Sequence, residues 1–428
     1  MNSLFRNAPA HWRAVRLKHT VTACITGTWG DEPRGGPEDL ICVRVADFDR
    51  LRGRINLKNP TFRFVPASYR RRRLLARGDL LLEKSGGGDE QPVGSVVLYD
   101  SDAPAVSSNF IARMPVEPGF GGRYLCYLHA ALYCMGVNRR SIRQTTGIQN
   151  LDSKSYLEEE VRAPDLVEQR QIAAYLDTKT ALLDKLARTK QRLLDLLMER
   201  RDALISQVVT AGLDPAAPAR WRSTRFKFIR SGALFYGANE PGAGDDRGGP
   251  RYIRITDLND DGSLRKDTFT SLPEAVAAPY LLQDGDILLA RSGATVGKAF
   301  RYRQEWGRAC FASYLIRLRP DCRKILPDYL YYYTQSQPYR NEVRVNTVQS
   351  TIANVSAERF GNFAIPLPAL DQQQKIVEFL GRVTDAVDRL AASTAHQLNC
   401  LNEYRSSLIV ETITRGRHER ARAARHLL

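Results

Sequence analysis

No stretch of this chain approaches the roughly 20 consecutive apolar residues that a membrane span requires. The N-terminal MNSLFRNAPAHWR has no apolar core long enough for a signal peptide. Cysteine is sparse: Cys24, Cys42, Cys126, Cys134, Cys310, Cys322 and Cys400 are scattered, and none forms a C-x-x-C pair or has a histidine at zinc-finger spacing. These absences argue against a disulfide framework and a structural metal site. They predict reduced, mostly buried thiols in a cytoplasmic protein with no membrane partner. The six histidines do not cluster. Acidic residues are also short, 47 against 63 Lys and Arg, leaving a formal charge of +16. Such an excess favours polyanions, nucleic acid most simply. A generally basic, Arg-biased composition is the plainer account.

Catalytic motifs are missing as well. SGATVGKAF at Ser292–Phe300 resembles a phosphate-binding loop, but Gly293 and Gly297 stand one residue too close and Ala299 replaces the hydroxyl residue. A turn between strands is expected there. No amino-methyltransferase D/N-P-P-Y/F motif occurs. Asp79, Glu83 and Lys84 loosely suggest a nuclease core, but Ala290 stands where the second copy needs the glutamate. A solvated strand end is the better reading. No metal site and no catalytic residue are expected in this chain.

What the chain does have is itself, twice. PAHWRAVRLK from Pro9 returns as PARWRSTRFK from Pro218, VRVAD at Val43 as IRITD at Ile253, and GDLLLEKSG at Gly78 as GDILLARSG at Gly285. A helical pattern at Gln169 returns at Gln373. The order is kept, and the offset drifts only from 209 (Trp12 to Trp221) to 204 (Gln169 to Gln373). That period is far longer than a solenoid unit. It describes a globular domain plus a long helix, duplicated. The expected division is 1–163 (domain), 164–213 (helix), 214–365 (domain), 366–416 (helix) and a basic tail, 417–428. Short β-branched and aromatic runs (LICVRV, DLLLE, GSVVLYD; RYIRI, DILLA, SYLIRLR) between Gly, Pro and Asp turns read as strands. Helices are expected near Arg123–Met135 and from Asp328. The fold class is α+β or α/β, with an internal pseudo-twofold repeat.

The two long segments predict helices of about 40 residues, about 60 Å each. Steps of four and three give a seam of Ile172, Leu176, Leu183, Leu186, Leu193, Leu197 and Leu204 in the first. The second gives Ile376, Leu380, Val383, Val387, Leu390, Leu401 and Leu408. Both seams turn polar near the middle, at Lys190 and Thr394. Gly212 with Pro215, and Gly416, stop them. Two matched seams are expected to pair as an antiparallel coiled coil, with a globular domain at each end; packing of each seam on its own domain is the alternative.

The remaining polar clusters suit DNA. Arg70, Arg71, Arg72 and Arg73 offer a phosphate clamp, although a solvated face would read the same. Turns after the repeated GD strands present Lys84 and Ser85, and Arg291 and Ser292. Further on come Arg139, Arg140, Arg143, Gln144, Thr145, Thr146, Gln149 and Asn150. The second half has Arg344, Asn346, Thr347, Gln349, Ser350, Thr351 and Asn354. Arg reads guanine, and Asn or Gln reads adenine, by paired hydrogen bonds. Such residues are also ordinary loop composition.

Taken together, Trp12 and Trp221 in their W-R contexts, the two GD strands, and the helix entries PDLVEQRQI and PALDQQQKI resemble the specificity subunit of type I restriction–modification systems. The helix exits ERRDALISQVVTAGL and EYRSSLIVETITRGR match it too. The resemblance spans essentially the whole chain. It implies two target-recognition domains reading the halves of a split double-stranded DNA site, with the helix pair as a spacer. It implies two methyltransferase subunits that bind S-adenosylmethionine, and two restriction subunits that use ATP and Mg2+. None of that catalysis would lie in this chain. The middles of the halves differ (HALYCMGVNRRSIRQ against YYTQSQPYRNEVRVN), so an asymmetric site is expected. The runner-up is a stand-alone DNA-binding or scaffold protein dimerising through its helices; a nuclease ranks last.

Overall fold

The structure is a computed structural model. It describes residues 3–145, 147–214, 216, 221–242, 248–259, 262–265, 267–349 and 353–416. The chain forms two compact units, one from residues 1–190 with 396–428, the other from 191–395. These units do not follow the linear order of domains and helices. Each combines a mixed α+β domain with one half of each long helix.

In the first unit a six-stranded sheet runs in the order 25–26, 111–114, 80–83, 96–98, 54–55, 48–49. Leu80–Glu83 is central because all four residues are buried. Asp39–Val43 pairs parallel with Ala105–Ser107 in a smaller sheet, and Arg13–Arg16 pairs antiparallel with Glu160–Ala163. Helix Gly122–Cys134 supplies much of the core, packing with Trp12, Leu80, Leu82 and Met114.

The second unit repeats the plan with fewer strands. Phe235–Tyr236, Leu315–Leu318, Ile287–Ala290 and Ala299–Arg301 form one sheet. Arg251–Ile253 pairs parallel with Ala309–Phe311, and Ser223–Arg225 antiparallel with Ala364–Pro366. Helix Pro327–Thr334 stands where Gly122–Cys134 stands in the first. Gly293–Thr295 is a single turn between two strands, so SGATVGKAF has no phosphate-loop geometry.

The repeated motifs fasten these parts. Arg44 and Asp47 close a turn that Arg254 and Asp257 reproduce, with Asp Oδ2 accepting the Arg backbone N–H at 2.8 Å in both. The GD aspartates each grip an arginine on the next strand: Asp79 holds Arg113 Nε at 2.6 Å, and Asp286 holds Arg319 Nε at 2.7 Å.

The P-x-L-x-x-Q entry has a similar logic. Gln169 Nε2 donates to Pro164 O at 2.9 Å, and its Oε1 accepts from Gly121 N, the N-cap of the domain helix, at 2.9 Å. Gln373 donates to Pro368 O at 2.9 Å and accepts from Leu326 N, the equivalent cap, at 2.8 Å. One amide thus satisfies an orphan helix donor and ties the long helix to its domain.

The long helices are Leu166–Ala211 and Leu370–Arg415, 46 residues each. They are longer than the sequence suggests, about 69 Å at 1.5 Å per residue. Gly212 and Gly416, at φ 91° and 75°, end them with the left-handed turn that glycine permits. Within the first unit Ile172 and Leu176 pack in one core with Leu408, Ile409 and Ile413. Within the second, Ile205, Val208 and Val209 pack with Ile376 and Leu380. The helices therefore run antiparallel in each unit.

The buried stripe drifts off the expected seam. It holds Thr180, Asp184 and Ile205 in the first helix, and Thr384, Ala391, Thr394 and Arg405 in the second. Leu186, Leu193 and Leu390 are exposed, and Leu183, Leu197, Leu204, Val383, Val387 and Leu401 are half-buried. The reason is period: the stripe follows about 3.6 residues per turn, that of a straight helix, where the seam assumed 3.5. Thr394 is also no polar break, since its hydroxyl donates to Leu390 O at 2.8 Å.

All seven cysteines are free, but only Cys42, Cys126 and Cys310 are buried. Cys134 and Cys400 are exposed helix residues, and Cys24 and Cys322 are exposed residues outside helices and strands, so the expectation of mostly buried thiols is corrected. Among the described residues no helix is long and apolar enough to cross a membrane.

Candidate nucleic-acid interface

Each unit builds a small ribbon beside the end of its central strand. In the first, Ile142–Thr145 and Ile148–Leu151 form a hairpin, with Arg143 opposite Asn150 and Gln144 opposite Gln149. Gly147 turns it at φ 83°. The segment leaving strand Leu80–Glu83 pairs onto the hairpin, Ser85 beside Asn150. Ser85 Oγ donates to Asn150 Oδ1 at 2.6 Å. Lys84 Nζ donates to Thr26 Oγ1 at 2.8 Å, and Arg73 Nε donates to Thr26 O at 3.1 Å. The arginine run and the ribbon thus converge on Thr26.

The second unit rebuilds this from different residues. Val348–Gln349 and Ala353–Asn354 form the hairpin, and Ser292 bridges to Asn354. Arg291 donates from Nε to Asn354 Oδ1 at 3.4 Å, and its guanidinium lies 4.9 Å from the centre of the Tyr236 ring. Tyr236 occupies the place of Thr26. In both units a glycine follows and lets that edge approach closely: a Cβ on Gly27 would lie 2.0 Å from Ser107 O, and on Gly237 2.3 Å from Ala312 O.

The other candidates divide. Arg71, Arg72, Arg139, Gln144 and Arg344 are exposed. Arg140 and Arg143 are exposed but lie 3.8 Å from Glu159 and 2.7 Å from Asp152. Arg70 is not a free clamp: it donates to Val65 O at 2.7 Å and pairs with Glu38. Gln149 points inward, its Oε1 accepting from Val93 N at 3.3 Å, because alternate residues of the hairpin face the core. Asn346 and Thr347 turn back on their own helix, to Glu342 O at 2.9 Å and Val343 O at 2.6 Å. The side chains of Thr145 and Gln349, and Thr146, Ser350 and Thr351 entirely, lie outside the described residues, as do Pro215 and the tail from residue 417.

Sequence reasoning missed two rings. Phe110 and Tyr314 immediately precede matched strands and are 46% and 62% exposed. Phe110 O accepts from Lys84 N at 2.7 Å, and Tyr314 O from Arg291 N at 3.0 Å. A single aromatic before a strand reads as core, so no signal marked them. The loose nuclease set is structural. Glu83 is buried, not solvated, and Arg50 holds it at 2.7 Å. Burial raises its carboxyl above the ordinary value, with the Arg50 charge opposing. Among the described residues no group of three or more His, Cys, Asp or Glu is placed to hold a metal.

Two domains of one plan, each handing its C-terminus to a long helix, define a class of internally duplicated α+β proteins. Residues 229–399 match the family model described as the type I restriction modification DNA specificity domain. The chain is 21% identical over 330 residues to the EcoBI specificity subunit of Escherichia coli, covering 72% of this chain and 68% of that protein. It is 24% identical over 287 residues to the StySPI specificity subunit of Salmonella potsdam, covering 63% and 60%. A chain solved in work on assembly and conformational transition of the type I R-M system superposes with a TM-score of 0.73 at 18% identity, over 96% of this chain and 99% of that one. The HsdS subunit from Thermoanaerobacter tengcongensis gives 0.51 at 18%, over 96% and 98%. Residues 229–399 thus carry the match to that family's DNA specificity domain, and most of the chain is similar to type I restriction–modification specificity subunits.

Proposed function

We propose that this chain is the non-catalytic DNA-reading subunit of a type I restriction–modification complex, each unit reading one part of a split, asymmetric site. The observation that carries the reading is the matched ribbon: Lys84, Ser85 and Asn150 in one unit, Arg291, Ser292 and Asn354 in the other, set among residues that differ. Matched anchors give a common way to meet duplex DNA, and unlike surroundings give two different half-sites. The paired helices act as the spacer and as the docking surface for two methyltransferase subunits, with two restriction subunits completing the complex. S-adenosylmethionine, ATP and Mg2+ belong on those partners. The assembly works in the cytoplasm. Half-sites on one face of B-DNA lie about 34–36 Å apart, within the reach of helices about 69 Å long.

The test is selection from randomised duplex DNA by the chain purified with its methyltransferase. The reading predicts one enriched motif in two unlike parts with a fixed gap. No enrichment, or one uninterrupted motif, contradicts it.

A further inference from the structure

We propose that Phe110 and Tyr314 are ring contacts to base pairs, each packing on the half-site of its own unit, with Lys84 and Arg291 beside them against the phosphate backbone. This rests on the DNA-reading role proposed above. Rings of this size are normally buried. Here two stand out at matched positions of a duplicated plan, 46% and 62% exposed.

Neither hangs on a loose tip. Each leads directly into a core strand, Ile111–Met114 or Leu315–Leu318. Each is joined through its backbone carbonyl to the N–H of a cationic residue, Lys84 or Arg291. The named partners of those cations are neutral: the Thr26 hydroxyl for Lys84 and the Tyr236 ring for Arg291. Their charge is therefore not spent on a carboxylate there. The Ser85–Asn150 and Ser292–Asn354 pairs lie next along the same edge.

An aromatic ring flanked by a cation and amide groups matches the chemistry of a duplex groove. The cation meets phosphate, the amide meets a base edge, and the ring packs on a thymine methyl or wedges at a base step. An acidic protein partner would satisfy the cations but leave the two rings without a matched role. Phenylalanine in one copy and tyrosine in the other also accords with unlike half-sites.

The test repeats the selection with Phe110→Ala, Tyr314→Ala and Phe110→Trp in the same assembly. Phe228→Ala, an exposed ring of the second unit in the turn Phe226–Phe228, outside the ribbon, serves as control. Phe110→Ala is expected to lose roughly tenfold or more in affinity for the wild-type site, the size of one ring–base contact, and to relax one half of the motif only. Tyr314→Ala is expected to relax the other half. Phe110→Trp, which keeps a ring, and Phe228→Ala retain both halves; binding by the tryptophan variant separates loss of the ring from loss of folding. Wild-type selectivity in both alanine variants overturns the proposal and leaves the DNA-reading role standing, as does loss of both halves from either single change. A wild-type assembly that selects no motif overturns the DNA-reading role and this proposal with it.

Discussion

Replacing Gln169 by Ala leaves Gly121 N and Pro164 O without their partner, and Gln373→Ala does the same to Leu326 N and Pro368 O. Each change is expected to cost about 2–4 kcal/mol, because one buried and one half-buried backbone group lose their hydrogen bonds. Urea titration followed by hydrogen exchange should show each loss confined to its own unit; equal losses in both units would contradict the local account. His129 gives a pH test. It is fully buried, its Nδ1 at 2.8 Å from the Tyr156 hydroxyl, and burial pushes its imidazole from 6.5 down to about 4. Between those values the unfolded chain binds a proton that the folded unit refuses. Stability of the first unit should therefore fall as pH drops from about 6.5 to about 4 and level off below, by on the order of 3 kcal/mol. His129→Gln should flatten that part of the profile in urea melts, and an unchanged slope would refute the assignment. At this scale the sequence shows that Gln169 and Gln373 recur but not what they hold, since their partners lie 48 and 47 residues away. Asp79 and Glu83 were legible as a pair of carboxylates. Their partners Arg113 and Arg50 were not, and those partners decide that the pair is structural.

Two ion pairs tie the long helices together, one in each unit, and they are repeat mates. Asp184 meets Arg405 in the first unit, and Arg201 meets Asp388 in the second. Each helix supplies one Asp and one Arg. Arg405 also donates to Leu51 O, and Arg201 to Gln335 Oε1 at 3.0 Å, so each pair reaches its own domain. Their energies should differ. Asp184 and Arg405 are 9% and 5% exposed, whereas Asp388 is 51% exposed. Arg405→Ala removes one of two cationic partners of the buried Asp184, Arg52 Nε remaining at 3.0 Å, and should cost about 1.5–3 kcal/mol, the worth of a buried charged hydrogen bond; Arg201→Ala should cost about 1 kcal/mol or less. Double-mutant cycles with Asp184→Ala and Asp388→Ala measure both couplings, and equal values would contradict the burial argument. Both helices were legible from their freedom from Pro and their apolar spacing. Their contact stripe was less so, because a rigid 3.5-residue seam slides by one position over this length. The buried Asp184, Thr180, Thr384 and Arg405 are residues that a hydrophobic pattern skips.

The whole chain was legible as a duplication because residues at matched structural positions are the same in both copies: the tryptophans, the GD aspartates that grip the next strand, and the glutamines that tie each domain to its helix. The proposed recognition edge was only half legible. Lys84, Ser85, Asn150 and their mates share positions, but Thr26 against Tyr236 and Phe110 against Tyr314 differ, and the proposed reading of unlike half-sites calls for such differences. If the helices set the gap, inserting about one turn, four residues and 5.4 Å, into each should widen the spacer by one or two base pairs, at about 3.4 Å per base pair. An unchanged gap would remove the spacer role. The most direct test of the central claim is genome-wide adenine methylation in the native host with and without this gene. Loss of a single two-part, asymmetric motif on deletion, restored by the gene, is the predicted result. A methylation pattern that includes such a motif and is untouched by the deletion would contradict the account.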